Sequence, residues 1–396
     1  MSTTELAEQF RNELIELRRA LHQAPELGLE LPNTQALVLA ALRDLDLEIT
    51  LGGQLSSVTA VLRGAGDGPA VLLRGDMDAL PLTERLDLPY ASRHQGRMHA
   101  CGHDLHTAIL VGAAKVLHAQ RDQLAGDVVF MFQPGEEGYA GARLMIEEGV
   151  LDAAGQRVVA AYGLHVQSTE TPRGHWRSKA GPLMAAVGQL EIRVLGAGTH
   201  GSLPHRGQDP VPVAAEIVLG LQTMVTRQFD VFDPVVVSVG RLVAGTTSNI
   251  IPAEASLDAT VRAFSAATME KVERAARQLA EHVAAAHGLT AEVTFTPGYP
   301  VVNNDAEEFA LARDAVVDLF GAERFHEYAH PTMPAEDMAY VLAEVPGAFL
   351  HLGAAATDDW DNAPANHSPY AAFDDSVVPE GAALLAELAR RRLARG

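Results

Sequence analysis

Four short runs, residues 70–73, 128–132, 158–162 and 348–350, are apolar at every position rather than at alternate ones. A strand with no polar face has to be covered on both sides, and helical patterns separate these runs. The chain is therefore read as an α/β protein whose main domain carries a largely parallel sheet. Helices are expected near 4–23, 33–45, 105–117, 305–320 and 379–394.

Between these halves the texture changes. Residues 189–194 alternate as a half-buried strand, helices are expected near 209–228 and 266–288, and further strands near 235–240, 255–263 and 291–296. That order is β-α-β-β-α-β, a ferredoxin-like α+β unit. At 396 residues the chain exceeds the size of a single growing core. The expected organisation is a discontinuous domain of residues 1–183 and 297–396, interrupted by an inserted domain of residues 184–296.

A net charge of −21 excludes nucleic acid as a partner, because phosphate binding needs a basic surface and the run Arg390-Arg391-Arg392 is too short to make one. No apolar stretch is long enough to span a bilayer, and charges at helical spacing in the first twenty residues exclude a signal peptide. The expected compartment is the cytoplasm. In so acidic a chain, any anionic substrate group needs a specific local cation.

Polar residues collect where the apolar runs end. Residues 70–73 lead into Arg74-Gly75-Asp76-Met77-Asp78, and 128–132 into Gln133-Pro134-Gly135-Glu136-Glu137-Gly138. His165 follows the third run, and Asn366-His367-Ser368-Pro369 lies beyond the fourth. Parallel sheets bind ligands outside the carboxyl ends of their strands.

Cys101, the single cysteine, stands in Met98-His99-Ala100-Cys101-Gly102-His103-Asp104. It can be buried filler, a nucleophile or a metal ligand. The run reads as a loop entering a helix, with Asp104 placed as its N-terminal cap. A catalytic cysteine with one histidine would leave Glu137, His165 and His367 unexplained. Five candidate ligands, Cys101, His103, Glu137, His165 and His367, exceed one tetrahedral site and suggest two metals sharing a group. Mixed sulfur, nitrogen and oxygen donors suit Zn²⁺ or Mn²⁺, and would accept Co²⁺ or Ni²⁺. Glu136 and Glu137 are adjacent, so their side chains diverge; the one not bound to metal is the natural general base.

These residues resemble the amidohydrolase branch of peptidase family M20, dinuclear metallopeptidases related to aminoacylase. The branch includes hippurate hydrolases, N-acyl-amino-acid amidohydrolases and auxin-conjugate hydrolases. The similarity runs through Leu17-Arg18-Arg19-Ala20-Leu21-His22 with Pro25-Glu26, then residues 75–81, 98–106 and 133–138, and Gly163-Leu164-His165-Val166. It continues through His200, Pro204-His205-Arg206-Gly207, Ser248-Asn249-Ile250-Ile251-Pro252, Thr260-Val261-Arg262, Ala335-Glu336-Asp337 and Asn366-His367-Ser368-Pro369.

The resemblance implies that Cys101 bridges two divalent ions, with His103 and His165 completing one and Glu137 and His367 the other. Glu136 would activate a water held between them, and Asp78 would orient a ligand from behind. The inserted domain would be a lid and dimerisation domain, so a homodimer or homotetramer is expected. His200 and Asn249 would reach a partner subunit's site, and Arg262 would clamp the substrate carboxylate. The implied reaction is hydrolysis of an N-acyl or N-aroyl L-amino acid. The alternatives are a dipeptidase or carboxypeptidase, a deacetylase of the N-acetyl-diaminopimelate type, and a non-catalytic binding homologue. Other branches carry His-x-Asp at Asp76-x-Asp78 and a bridging Asp at Cys101, which leaves Asp76 without an assigned role; Glu336 and His205 also have none. Gly135 stands where relatives usually carry alanine.

Overall fold

The computed structural model describes residues 1–395, which form two compact units. The first comprises Met1–Leu183, Asn303–His330 and residues from Glu336 on; the second comprises Met184–Val302 and Pro331–Ala335. Residues 297–302 thus go with the second unit, where the sequence had the first resume at 297. Backbone bonds hold them there: Val187 N–H donates to the Tyr299 carbonyl at 3.0 Å, and Gly298 N–H to that of Val187 at 2.9 Å.

The first unit is built on an eight-stranded sheet. Its centre is four parallel neighbours in the order Asp127–Gln133, Ala70–Asp76, Ala160–Gln167 and Gly347–Gly353. Every residue of Ala70–Asp76 and Gly347–Gly353 is buried, as the continuous apolar runs required. The strand read at 158–162 starts at Ala160 and runs on to Gln167, because Gly347–Gly353 keeps pairing with it up to Gly353 opposite Gln167. On the flanks, Val58–Leu62 and Glu48–Leu51 pair antiparallel at one edge, and Trp176–Ser178 and Phe325–Glu327 complete the other. Helices His103–Ala119 and Val378–Leu393 pack on the sheet and on each other, an Ala and Gly interface that lets the backbones come close. The helical pattern near 4–23 is two helices, Thr3–Gln9 and Arg11–Gln23, because at Phe10 the N–H turns back to the Ala7 and Glu8 carbonyls.

In the second unit the six elements follow in the expected order: Ala186–Leu195, Pro210–Gln228, Val236–Ala244, Glu254–Ala263, Ala266–Ala286 and Thr290–Pro297. All strand pairs are antiparallel. The spatial order puts Ala186–Leu195 and Glu254–Ala263 in the middle, the arrangement of a split βαβ domain. Burial alternates strictly along Glu254–Ala263, with Ala255, Leu257, Ala259, Val261 and Ala263 in the core and Glu254, Asp258, Thr260 and Arg262 outside it. Asp209 caps the first helix ahead of Pro210, and Ser265 caps the second.

Gly75 sets how close helix His103–Ala119 lies to the central sheet. A Cβ there would sit 2.9 Å from the His106 carbonyl oxygen and 3.2 Å from the Leu110 Cβ. Gly75→Ala is expected to destabilise the protein by about 1–3 kcal/mol through overpacking, measured by urea denaturation. A loss below about 0.5 kcal/mol would mean that the helix shifts freely.

Candidate metal centre

The carboxyl ends of the central strands and the start of helix His103–Ala119 bring seven of the expected residues together: Asp78, Cys101, His103, Glu136, Glu137, His165 and His367. Each is set in place by a local backbone device. Gly102, at φ +84°, turns the chain into the helix, and a Cβ there would lie 2.3 Å from a Val166 methyl. Asp104 is therefore not the cap that the sequence suggested; Gly102 occupies that position and the Asp104 carboxylate is engaged elsewhere. Asp78 accepts the N–H of Glu136 at 2.9 Å and that of Glu137 at 3.0 Å, so the turn carrying both glutamates hangs on one carboxylate. His367 holds a left-handed backbone, φ +68°, at a cost of about 1–3 kcal/mol for a residue with a Cβ. Its N–H reaches the Ala100 carbonyl at 2.9 Å. Beside it, the Asn366 amide donates to the carbonyls of Cys101 and Val166 at 3.2 and 3.0 Å, stitching three segments of the site.

Cys101 Sγ lies 3.3 Å from His165 Nε2 and 3.2 Å from His367 Nε2. Glu137 Oε1 lies 3.2 Å from His367 Nε2. Two donor sets result, Cys101–His103–His165 and Cys101–Glu137–His367, each with its ligand atoms within 4.8 Å of one another and both sharing the sulfur. Two polar atoms here, both ring nitrogens of His103, are buried without a hydrogen-bond partner. Buried polar atoms left unpaired are costly, and a cation between them removes the cost. His165 Nδ1 is tied to the Val166 carbonyl at 2.8 Å, which fixes the ring and turns Nε2 to the sulfur, the usual support for a metal-binding imidazole.

The electrostatics ask for the same thing. Hydrogen bonding to the Cys101 sulfur, and then to the Glu137 carboxylate, pushes His367 up to about 10. Burial pulls His103 down, but Asp76 and Cys101 outweigh it and raise it well above the ordinary imidazole value. Burial, followed by repulsion from His106 and His103, holds His165 well below the ordinary imidazole value, so its ring is free to offer a lone pair; the sulfur, nitrogen and oxygen donors together would fit two divalent ions.

Asp76 and His106 also lie near His103, yet both are committed. His106 Nδ1 meets Asp76 Oδ1 at 2.6 Å, and its Nε2 accepts the Val166 N–H at 2.8 Å, so the ring braces one strand against the next. The other Asp76 oxygen takes Arg74 Nη1 at 2.6 Å. This gives Asp76 the role that sequence comparison left open.

Arg74 was missed as a functional residue. It is fully buried and donates to Gln133 at 2.8 Å, Glu336 at 2.9 Å and Asp337 at 2.8 Å as well as to Asp76. Glu336 thus acquires a structural place. Gln133 in turn donates to both Asp337 oxygens, and the Asp337 N–H faces Glu136 Oε1 at 3.4 Å. Burial, followed by repulsion from Glu336, Asp337 and Glu137, raises Glu136 well above the usual carboxylate range.

The motif around Arg18 and His22 supports the same loop from below. Asp104 Oδ2 takes Arg18 Nε at 2.8 Å and His22 Nδ1 at 2.7 Å, while Arg18 Nη1 reaches Asp375 at 2.9 Å and His22 Nε2 reaches Glu84 at 3.2 Å. The polar residues at 18 and 22 lie one helical turn apart, within one of the runs that carry the family resemblance.

His200, Asn249 and Arg262 belong to the second unit. His200 pairs with Ile250, and the Gly201 N–H donates to the Asn249 carbonyl at 2.7 Å, so the first two are neighbours. Arg262 donates to the Thr260 hydroxyl at 2.6 Å and has no carboxylate partner among the described residues. His205 is exposed.

A sheet of this topology, with thiol, imidazole and carboxylate gathered at its strand ends, defines a hydrolase of the dinuclear metallopeptidase class. The chain belongs to the peptidase family M20/M25/M40, whose description matches residues 72–391. It is 38% identical to the N-acetylcysteine deacetylase of Bacillus subtilis (strain 168), over 96% of this chain and 97% of that protein. It is 37% identical to the IAA-amino acid hydrolase ILR1-like 2 of Arabidopsis thaliana, over 95% of this chain and 84% of that protein. Among solved structures, the Bacillus subtilis YXEP protein, a dinuclear metal binding peptidase, superposes with a TM-score of 0.84 at 36% identity, covering 98% of this chain and 99% of that one.

Cys101→Ser is expected to lower both bound metal, counted by inductively coupled plasma mass spectrometry after dialysis, and turnover. A variant with two metals and normal rate would return Cys101 to buried filler.

Proposed function

We propose that the protein hydrolyses the amide of N-acyl or N-aroyl L-amino acids, releasing a carboxylate and a free amino acid. The observation that carries this reading is that two adjacent glutamates, each with an oxygen within 4.8 Å of the other's and of His103, have different partners. Glu137 points to Cys101 and His367, whereas Glu136 lies against the Asp337 backbone, buried among Glu336 and Asp337.

Cys101, His103 and His165 would hold one divalent ion, and Cys101, Glu137 and His367 the other; when bound, such ions supply Lewis-acid polarisation of the carbonyl and a water acidified toward neutral pH. Glu136 then has two tasks. It takes a proton from the attacking water, and its surroundings, which favour the protonated form, let it hold that proton until the amide nitrogen leaves as an amine. Asp78 keeps the Glu136 turn fixed during both steps, since it carries both glutamate N–H groups.

The first unit is proposed as the catalytic domain and the second as a lid and dimerisation domain, in a homodimer or homotetramer. His200 and Asn249 would stabilise the oxyanion in a second copy's site. Arg262 would clamp the substrate carboxylate, because only a guanidinium offers a two-pronged donor for it. The relatives named as a deacetylase of N-acetylcysteine and as an IAA-amino acid hydrolase support an N-acyl amino acid substrate. The relative named thermostable carboxypeptidase 1, from Saccharolobus solfataricus, 34% identical over 97% of this chain, supports peptide bonds as the second reading. Among the described residues no helix is long and apolar enough to cross a membrane, and a cytoplasmic location is proposed.

Glu136→Gln is expected to retain both metals and to lower kcat by about 10²–10⁴-fold. Undiminished turnover would remove Glu136 from the chemistry. A panel of N-acetyl, N-benzoyl and dipeptide substrates separates the two readings: preference for the dipeptides would overturn the first.

A further inference from the structure

The register of the first unit's sheet places basic residues side by side on four neighbouring strands. His165 pairs with His351, His351 with Arg177, and Arg177 with His326. Directly paired residues project from the same face of a sheet, so this row leads from the metal centre toward the sheet edge. The side chains touch in sequence. The rings of His165 and His351 are 6.4 Å apart, Tyr328 donates to or accepts from His351 Nδ1 at 2.8 Å, and the Arg177 guanidinium carbon lies 4.1 Å from the centre of the Tyr328 ring.

Arg177 differs from the other inward-facing arginines of this unit. Arg18 and Arg74 are each neutralised by two or more carboxylates. Arg177 is half-buried, and it has no carboxylate partner among the described residues. Its Nη1 reaches the Glu170 carbonyl at 3.3 Å, and its buried Nε has no hydrogen-bond partner. In a chain of net charge −21, a guanidinium kept clear of carboxylates is conspicuous. Leaving a partly desolvated charge unpaired is unfavourable, and a carboxylate from outside the chain relieves it with two parallel N–H bonds. Tyr328 holds the guanidinium flat by a cation–π contact, so the fork is already oriented.

We propose that Arg177, backed by Tyr328 and His351, forms a specificity subsite for a second carboxylate of the substrate, distinct from the one on the amino acid's α-carbon. This rests on the amidohydrolase reading. Two strand spacings, roughly 10 Å, separate the backbones of His165 and Arg177. The second carboxylate therefore sits at the end of a chain, either the tail of the acyl group or the side chain of the amino acid, and not beside the scissile amide.

The test uses metal-loaded enzyme and isosteric pairs in two arms. N-succinyl-L-leucine against its succinamoyl counterpart reads the acyl source, and N-acetyl-L-glutamate against N-acetyl-L-glutamine reads the side-chain source. The wild type is expected to favour the carboxylate member in one arm by about tenfold or more in kcat/KM, the range for a charge-assisted hydrogen bond. Arg177→Gln should bring that ratio near one, and Arg177→Lys should retain part of it. A general loss of folding lowers both members alike and leaves the ratio standing, which counts against the subsite. The proposal also fails if the wild type shows no preference in either arm, and Arg177→Lys decides the matter should Arg177→Gln not fold. If uncharged members are hydrolysed normally, only the subsite has failed; if no member of any pair is hydrolysed, the amidohydrolase reading falls and takes the subsite with it.

Discussion

One buried guanidinium holds the strand ends together. Arg74 emerges from the strand Ala70–Asp76 and binds its own strand's Asp76, Gln133 at the end of the next strand, and Glu336 and Asp337 just ahead of helix Met338–Glu344. Every one of these groups is out of water, so the arrangement is stable only as a whole: removing the cation would leave three buried carboxylates facing one another. The same cluster sets the surroundings of Glu136. Burial first, and then the neighbouring Glu336 and Asp337, raise Glu136 above the usual carboxylate range, and the electrostatics of the core reach into the chemistry.

The candidate ligands themselves sit on loops and helix ends, where chain segments are normally mobile. Here each has a buried polar partner behind it. Asp78 fixes the two glutamates, Asp76 and His106 brace the strand that carries His165, Asn366 ties His367 to the cysteine loop, and Arg18 with His22 grips Asp104 beside His103. These outer contacts decide whether imidazole and thiolate stay within bonding reach of a metal, and they explain why so much buried polarity is spent within one sheet edge.

What could be read in the sequence follows from range. Continuous apolar runs announced the parallel strands, and strict alternation announced the second unit, because each is a periodicity contained in a few residues. Glu137 and His165 were legible because they follow those runs directly, and Cys101 with His103 because the single cysteine stands two residues from a histidine. Arg74 was not, since its importance lies in partners as far away as Glu336 and Asp337, and a lone arginine at a strand end has no local mark. Asp104 was misread for the opposite reason. A local rule made it a helix cap, but Arg18 and His22, more than eighty residues earlier, outbid the helix backbone for its carboxylate. The short edge strands Trp176–Ser178 and Phe325–Glu327 carry too few residues for any period to show.

The distribution of positive charge makes the clearest functional statement. Arg18 and Arg74 are consumed by the carboxylates that shape the core, so neither can neutralise Glu137 at the centre. His367 and His103 are driven toward protonation there, yet a protonated imidazole has no lone pair left to offer as a ligand. His165, by contrast, is held well below the ordinary imidazole value by burial, so among the three candidate histidines it already offers a lone pair. Two divalent ions held by Cys101, His103, Glu137, His165 and His367 would displace the protons that His103 and His367 attract and would pair the buried sulfur and carboxylate.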